Sequence, residues 1–321
     1  MNEQTLYDLI VIGGGPAGLS CALEAKGRGL SCLVLEKGSL VDAIRRFPSN
    51  MTFFSTPEQL EIGQIPFIVP SFRPTRSDAL RYYNRVSKHF GLLVKTDSVV
   101  TGIRGVEDGF SVATTDSSYH SKYVVVATGY FDNPNPFDVP GCDLPKVFRS
   151  YSEPFAFVGK KVAIVGGRNS AVEIALELFR NGSEVTLIHR GPQLSEGVKY
   201  WILPDIQNRI KAKEIAAFFE TTVEAITPRH LKLRGAYAGE IPNDVLFVMI
   251  GYRPDNRLLM AAGVRIDKET DAPVHDPRTM ETNVDGLFVA GSIAAGRFNN
   301  KIFIENGRLH GSTIVDAILT N

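Results

Sequence analysis

Two glycine-rich turns, each between a strand-like and a helix-like segment, constrain this chain more than any other feature. The first spans residues 13–18 after the apolar run 9–12, and the second spans residues 166–171 after the run 162–165. A turn of this kind binds the pyrophosphate of a dinucleotide at the N-terminus of the helix that follows. Two of them predict an α/β protein with two Rossmann-like domains, two bound dinucleotides and electron transfer between them.

The first turn has the spacing of a dinucleotide fingerprint. Gly13 permits the tight turn, Gly15 lets the backbone approach a pyrophosphate, and Gly18 lets the helix pack on the sheet. Pro16 suits the first turn of a helix predicted over residues 16–29. Glu36 ends the next predicted strand, 31–35, where a carboxylate bonds ribose hydroxyls.

The second turn departs from that pattern, because Arg168 holds the position of its middle glycine. We interpret the guanidinium as a phosphate ligand, with Asn169 and Ser170 as further donors at the start of the helix. The next strand, 185–188, ends in His189 and Arg190 rather than in an acid. An arginine there pairs with a 2′-phosphate, so the sequence favours NADPH over NADH.

Composition narrows the function further. The 321 residues suffice for about two domains. Lys+Arg and Asp+Glu both number 35, which gives no electrostatic case for nucleic acid or an anionic membrane as a partner. No apolar run reaches the ~20 residues of a membrane span, and the polar residues 1–4 show no signal-peptide pattern. Three cysteines without a C-x-x-C predict a cytoplasmic protein with reduced thiols; no metal site is predicted.

The chain resembles the low-molecular-weight thioredoxin reductase class of flavoproteins, and within it the bacillithiol disulfide reductase group. The likeness covers nearly the whole length. The segments that carry it are residues 11–18, 36–38, 52–55, 60–63, 127–130, 132–135, 166–170, 201–204, 280–283 and 302–308.

This resemblance implies an NADPH-binding domain inserted into an FAD-binding domain. The expected boundaries are 1–147 and 252–321 for the FAD domain and 148–251 for the NADPH domain. The residues expected to bind FAD are Gly13, Gly15, Pro16, Ala17, Gly18, Glu36, Lys37, Phe54, Thr128, Gly129, Gly291, Ser292 and Ile302. Those expected to bind NADPH are Gly166, Gly167, Arg168, Asn169, Ser170, His189, Arg190, Gly251 and Tyr252.

The resemblance further implies electron flow from NADPH through FAD to a small-molecule disulfide such as bacillithiol disulfide, in a homo-oligomer. Three departures bear on this activity. The stretch 148–154 lacks the C-x-x-C of thioredoxin reductases, Ala17 stands where some members of the group have a cysteine, and Ser292 replaces an aspartate. No catalytic acid or base is assigned.

Three alternatives remain at this level. A ferredoxin- or flavodoxin-NADP reductase also lacks the C-x-x-C and would use a redox partner protein. A flavin monooxygenase carries a motif before the second turn that residues 147–158 do not match. A flavin-bearing redox sensor needs only one nucleotide site.

Overall fold

The computed structural model describes residues 5–298 and 301–320. Residues 1–4, where no signal peptide is predicted, lie outside this range. The chain divides into two compact units, one formed by the segment up to Asn133 together with the segment from Tyr252, the other by Pro134–Gly251. The predicted boundary at 147–148 falls inside the second unit, because Val147 pairs with Leu246 there and Asn135 hydrogen-bonds to Gly251. The boundary at 251–252 coincides with the division between the units.

The elements alternate between strand and helix through much of the chain. In order they are β1 (Leu6–Ile12), α1 (Pro16–Gly27), β2 (Cys32–Leu35), α2 (Asp42–Arg45), α3 (Pro57–Leu60), α4 (Arg76–His89), β3 (Leu93–Lys95), β4 (Val100–Val106), β5 (Gly109–Thr114), β6 (Ser118–Val126), β7 (Val147–Phe148), β8 (Lys161–Val165), α5 (Asn169–Arg180), β9 (Glu184–Ile188), α6 (Leu203–Lys211), β10 (Ala216–Phe218), β11 (Thr221–Ile226), β12 (His230–Gly235), β13 (Gly239–Pro242), β14 (Val245–Val248), α7 (Arg257–Ala261), β15 (Leu287–Val289), α8 (Ile304–Gly307) and α9 (His310–Thr320). Short 3₁₀ helices span Phe155–Phe157 and Gly291–Ala295.

The first unit is built on a seven-stranded sheet in the order β3-β2-β1-β6-β5-β4, with β15 also beside β6. Strands β1, β2, β3, β6 and β15 are parallel, whereas β4, β5 and β6 form an antiparallel meander. The last four residues of β1 are fully or almost fully buried, as expected for a parallel strand covered on both faces. Helices α1 and α9 pack against each other, so the C-terminal segment completes the fold that the N-terminal segment begins.

The second unit repeats the parallel arrangement on a smaller scale. Its five-stranded sheet has the order β10-β9-β8-β14-β7 and is parallel throughout. A three-stranded antiparallel sheet, β11-β12-β13, completes the unit. Both units therefore have the Rossmann-like order that the two glycine turns predict, and the α/β fold class is confirmed.

Candidate functional site

The predicted FAD residues lie at one edge of the first sheet. In register, Ile12 pairs with both Leu35 and Val126, and Val126 pairs with Val289. The four strands therefore end side by side, and the segments that follow them carry Gly13, Glu36, Thr128 and Gly291. Ligands of open parallel sheets bind outside the carboxyl ends of the strands, so this edge is the candidate nucleotide site of the first unit.

The glycines of the first turn have separate structural reasons. Gly13 has φ +111°, and a Cβ on it would lie 2.5 Å from the carbonyl oxygen of Ala127. A Cβ on Gly18 would collide with the carbonyl oxygen of Gly13. A Cβ on Gly15 would meet no protein atom within 4 Å. Gly15 precedes Pro16 at the N-terminus of α1, so open space lies where the helix attracts an anion.

The carboxylate of Glu36 is held in a fixed orientation. Gly14 donates its N–H to Oε2 at 2.6 Å, and Gly38 donates to Oε1 at 2.9 Å. The side chain is 7% exposed. Two backbone donors orient this acceptor beside the turn, where it suits the ribose hydroxyls of a dinucleotide.

Three further segments converge behind the first turn. A Cβ on Gly291 (φ +71°) would lie 2.8 Å from Cβ of Ala17, and a Cβ on Gly129 would lie 3.6 Å from Oγ of Ser292. Gly291 donates its N–H to Nδ1 of His310 at 3.2 Å. The acceptor role requires a neutral imidazole, and burial lowers the pKa of His310 to about 4. His310 supports the Gly291 turn in a role that the sequence did not assign.

Lys37 takes part in a charged network that the sequence did not reveal. Its ammonium contacts Asp132 at 2.5 Å. Asp132 also pairs with Arg46, whose Nε lies 2.8 Å from Asp42. Partial burial, followed by the positive charge of Arg46, lowers the pKa of Lys37. The pairs join the segment after β2 to α2 and to the end of the first chain segment of the unit.

The two segments that carry Phe54 and Ile302, both expected to bind FAD, are joined by a side-chain hydrogen bond. Phe54 is exposed and has the Arg73 guanidinium 5.2 Å from its ring centroid. Its neighbour Ser55 donates a short hydrogen bond to the Glu305 carboxylate. Half-buried Ile302 lies on the same segment as Glu305 and is 3.2 Å from the position of a Cβ on Gly307. No sequence pattern predicts the pairing of Ser55 with Glu305, because 250 residues separate them.

The second turn also lies at the carboxyl edge of its sheet. Val165 pairs with Ile188 and with Val248, so Gly166, His189 and Met249 follow neighbouring strand ends. Gly166 has φ +150°, and a Cβ on it would lie 2.5 Å from the Met249 carbonyl oxygen. A Cβ on Gly167 would lie 2.5–2.6 Å from the His189 ring. Gly167 is therefore needed for the histidine to lie over the turn.

The polar residues in and near the second turn differ in their exposure and in the hydrogen bonds they make. Arg168 is exposed at the N-cap of α5 and makes no side-chain cap, and Ser170 and Arg190 are exposed as well. Asn169 instead binds a neighbouring loop: its Nδ2 donates to the Gly197 carbonyl at 2.9 Å and its Oδ1 accepts from the Lys199 N–H at 2.7 Å. Burial and then the nearby charge of Arg190 lower the pKa of His189.

The last two predicted NADPH residues belong to different units. Gly251 (φ +89°) closes the second unit, where its carbonyl accepts from the Asn135 N–H at 3.0 Å. Tyr252 begins the returning segment of the first unit and stacks on Phe131 with ring centroids 4.5 Å apart. Burial raises the pKa of Tyr252.

Residues 5–298 and 301–320 contain no group of three or more His, Cys, Asp or Glu side chains arranged to hold a metal ion. Over the same ranges, no helix combines the length and apolar character that crossing a membrane requires. All three cysteines are free thiols.

A family profile described as pyridine nucleotide-disulphide oxidoreductase matches residues 10–291. The chain belongs to this family. It is 44% identical to bacilliredoxin reductase Bdr of Bacillus subtilis, over 96% of each chain. The structure of the bacillithiol disulfide reductase Bdr of Bacillus cereus superimposes with a TM-score of 0.96 at 41% identity, over 98% of this chain and 99% of that one. A ferredoxin–NADP reductase of Ignicoccus hospitalis is 27% identical over 98% of this chain and 99% of its own.

These relations confirm the predicted resemblance and make the protein an oxidoreductase enzyme. Members of the pyridine nucleotide-disulphide oxidoreductase family use FAD and NADPH, which confirms the two predicted cofactors at the level of the family. The residues at the two sheet edges fit such ligands. Each site has a helix N-terminus beside a glycine turn. The first site also has the fixed carboxylate of Glu36. The second has Arg168 and Arg190, and no acidic residue that would repel a 2′-phosphate directly follows the end of β9.

Proposed function

We propose that the protein is an NADPH-dependent FAD enzyme that reduces the disulfide of a low-molecular-weight thiol, such as bacillithiol disulfide. The similarity at 44% identity over almost the whole of both chains carries this proposal. The balanced reaction consumes one NADPH, one proton and one disulfide and yields NADP⁺ and two thiols. The bound flavin supplies the redox chemistry, because it accepts a hydride and delivers two electrons.

The chain's own residues bind and orient the two cofactors in this proposal. The first unit holds FAD: the α1 N-terminus and Gly15 face its pyrophosphate, and Glu36 accepts from ribose hydroxyls. The second unit holds NADPH, with Arg168 at the pyrophosphate and Arg190 at the 2′-phosphate. Phe54 and Ile302 flank the flavin ring.

The absence of a C-x-x-C before the second turn bears directly on the route of electrons. Residues 148–154 contain no cysteine and Ala17 occupies the first turn. A small disulfide must therefore meet the reduced flavin without a protein dithiol as intermediary. We further propose that the protein acts in the cytoplasm, which its three free thiols favour, and that it is a homo-oligomer, which light scattering of the purified protein tests.

The proposal is tested by the choice of electron acceptor. The purified holoenzyme is assayed with NADPH and, in parallel, bacillithiol disulfide, ferredoxin or oxygen, with NADPH loss and thiol release both recorded. We expect bacillithiol disulfide to support the fastest turnover and to release two thiols for each NADPH. Turnover with ferredoxin alone would instead establish the second candidate, a ferredoxin–NADP reductase, which the full-length similarity to the Ignicoccus hospitalis enzyme favours.

A further inference from the structure

A loop of the second unit lies across the glycine turn and is held there at several points. We define this strap as residues 194–201, between β9 and α6. Ser195 donates its N–H to the Gly167 carbonyl at 2.9 Å. Asn169 binds the strap with both ends of its side-chain amide, through the Gly197 carbonyl at 2.9 Å and the Lys199 N–H at 2.7 Å.

The strap is also fastened by a buried charge. Lys199 is only 6% exposed, and its ammonium forms a close ion pair with Glu173, in the second turn of α5. Burial raises the pKa of Glu173, while the charge of Lys199 opposes that rise. Leu194, just before the first polar anchor, and Val198, between Gly197 and Lys199, are buried in the core of the unit. The strap therefore has two apolar attachments and four polar ones, namely three hydrogen bonds and one ion pair.

These attachments flank the position that the incoming phosphates must approach. Gly167 and Asn169 are the chain neighbours of Arg168, the exposed N-cap of α5. Bonds to both neighbours restrict the backbone on either side of the cap, so the first N–H groups of the helix are oriented before a ligand arrives. A preorganised site loses less entropy when it binds. A lysine close to a helix N-terminus is unfavourable by itself, but Glu173 offsets its charge and an anionic ligand benefits from it.

We propose that Asn169 and Lys199 are positioning residues, which hold the strap against the N-terminus of α5 and thereby set the affinity of the second site for NADPH. Asn169 then acts through the strap rather than as the direct phosphate donor that the sequence predicted. This inference rests on the proposed function, because it requires a pyridine nucleotide at the second turn. It does not depend on which acceptor receives the electrons.

The strap carries its own spectroscopic probe. Trp201 is the single tryptophan of the chain. The Lys199 ammonium lies 5.6 Å from its ring centroid, and the exposed Tyr200 ring packs edge-on against it with centroids 5.0 Å apart. Tryptophan emission therefore reports the strap. Titration of the oxidised holoenzyme with NADP⁺ measures binding without turnover.

The test compares Asn169→Ala, Lys199→Met and Lys199→Arg with Lys211→Met, an exposed lysine at the end of α6. We expect Asn169→Ala and Lys199→Met to raise the NADP⁺ dissociation constant by about tenfold or more. Asn169→Ala loses both side-chain hydrogen bonds to the strap, and Lys199→Met loses the buried ion pair with Glu173 while keeping its backbone bond to Asn169. Lys199→Arg should restore most of the affinity, and Lys211→Met should match the wild type. The flavin content and the thermal unfolding midpoint are measured on every variant.

The result that overturns the inference is wild-type NADP⁺ affinity in folded, flavin-loaded Asn169→Ala and Lys199→Met proteins. If Lys199→Met does not fold, Asn169→Ala decides alone, because it leaves the ion pair intact. A wild-type protein that binds no NADP⁺ would instead overturn the proposed function together with this inference. Binding of NADP⁺ without reduction of bacillithiol disulfide would overturn only the proposed function.

Discussion

At the residue scale, the glycines of the first turn separate the demands of folding from those of ligand binding. Gly13 is needed by the protein itself, since its φ is +111° and a Cβ would press on the Ala127 carbonyl. Gly15 has φ −75° and open space around it. No packing contact of the protein requires a glycine at this position, so we infer that the missing side chain leaves room for a bound ligand.

The pair Gly13→Ala and Gly15→Val tests this separation. We expect Gly13→Ala to destabilise the apoprotein by at least ~1–3 kcal/mol, because the backbone is strained at positive φ, and Gly15→Val to leave apoprotein stability nearly unchanged. Both variants should be purified without flavin. Urea unfolding of the apoproteins and the absorbance of the purified proteins provide the two measurements. Full flavin occupancy in Gly15→Val would contradict the placement of a pyrophosphate there.

Arg190 is predicted to select the nucleotide. Replacement by alanine should raise the KM for NADPH by about tenfold or more and leave the KM for NADH nearly unchanged, because only NADPH has the 2′-phosphate. Arg180→Ala, on the exposed end of α5, is the control. Steady-state kinetics measure the KM for each nucleotide. An equal rise in both KM values would contradict the assignment of Arg190 to the 2′-phosphate.

His310 should make stability depend on pH. Its pKa is about 4 in the folded protein against 6.5 for a free histidine. The neutral side chain is the form that accepts from Gly291, while the unfolded chain takes up a proton as the pH falls through 6.5. Stability therefore decreases from pH 6.5 towards pH 4. We expect His310→Gln to flatten this part of the profile in urea unfolding, whereas exposed His89→Gln should not.

At the scale of elements, the sequence predicted those strands and helices that are marked by apolar runs and glycine turns. The helix predicted over 16–29 and the strands predicted over 31–35 and 185–188 end within two residues of α1, β2 and β9, because apolar runs and glycine turns define them. Helix α5 ends at Arg180, and Gly182 then takes a φ of +86°, a conformation that favours glycine after a helix. The antiparallel sheet β11–β13 was not predicted, although Leu231 and Leu233 alternate with exposed residues along β12. Side-chain links such as Ser55–Glu305 carry no local pattern at all.

Asp8, near the amino end of β1, bonds to Ser31 just before β2 and to Lys122 in the middle of β6. Its carboxylate accepts from the N–H and Oγ of Ser31, at 2.9 and 2.7 Å, and from the Lys122 ammonium at 2.9 Å. The hydrogen bond from Lys122, followed by those from Ser31, lowers the pKa of Asp8 from 3.8 to about 2.

A lowered carboxyl pKa stabilises the folded protein above pH 4, and this contribution disappears as the pH falls from about 4 to 2. Asp8→Asn should therefore cost about 1 kcal/mol at pH 7, after allowance for the partial exposure of the pair. The difference from the wild type should shrink at pH 3. Urea unfolding at both pH values measures it, with exposed Asp108→Asn as the control. A cost that stayed constant with pH would point to lost packing rather than lost charge.

At the scale of the whole molecule, two units with similar sheet edges provide one candidate nucleotide site each. The sequence predicted this division because both glycine turns are local. It misplaced the first boundary, since the chain joins the second unit at Pro134, before any strand of that unit begins. Segment 134–147 is held largely by contacts with residues far along the chain, such as the bond from the Asn135 side chain to Ile250, 115 positions away, and no local sequence pattern indicates such contacts.

Whether a protein thiol takes part in turnover depends on the burial and the pKa of the three cysteines. Cys21 is fully buried, which raises its pKa, and burial raises the pKa of Cys32 to about 12. Thiols of this kind hold almost no thiolate at neutral pH, and half-buried Cys142 belongs to the second unit. We expect Cys32→Ser/Cys142→Ser to reduce bacillithiol disulfide within about twofold of the wild-type rate, and prior treatment of the wild type with iodoacetamide to have equally little effect. Loss of disulfide reduction in either experiment, with NADPH-dependent flavin reduction intact, would show that a cysteine of this chain carries electrons to the substrate.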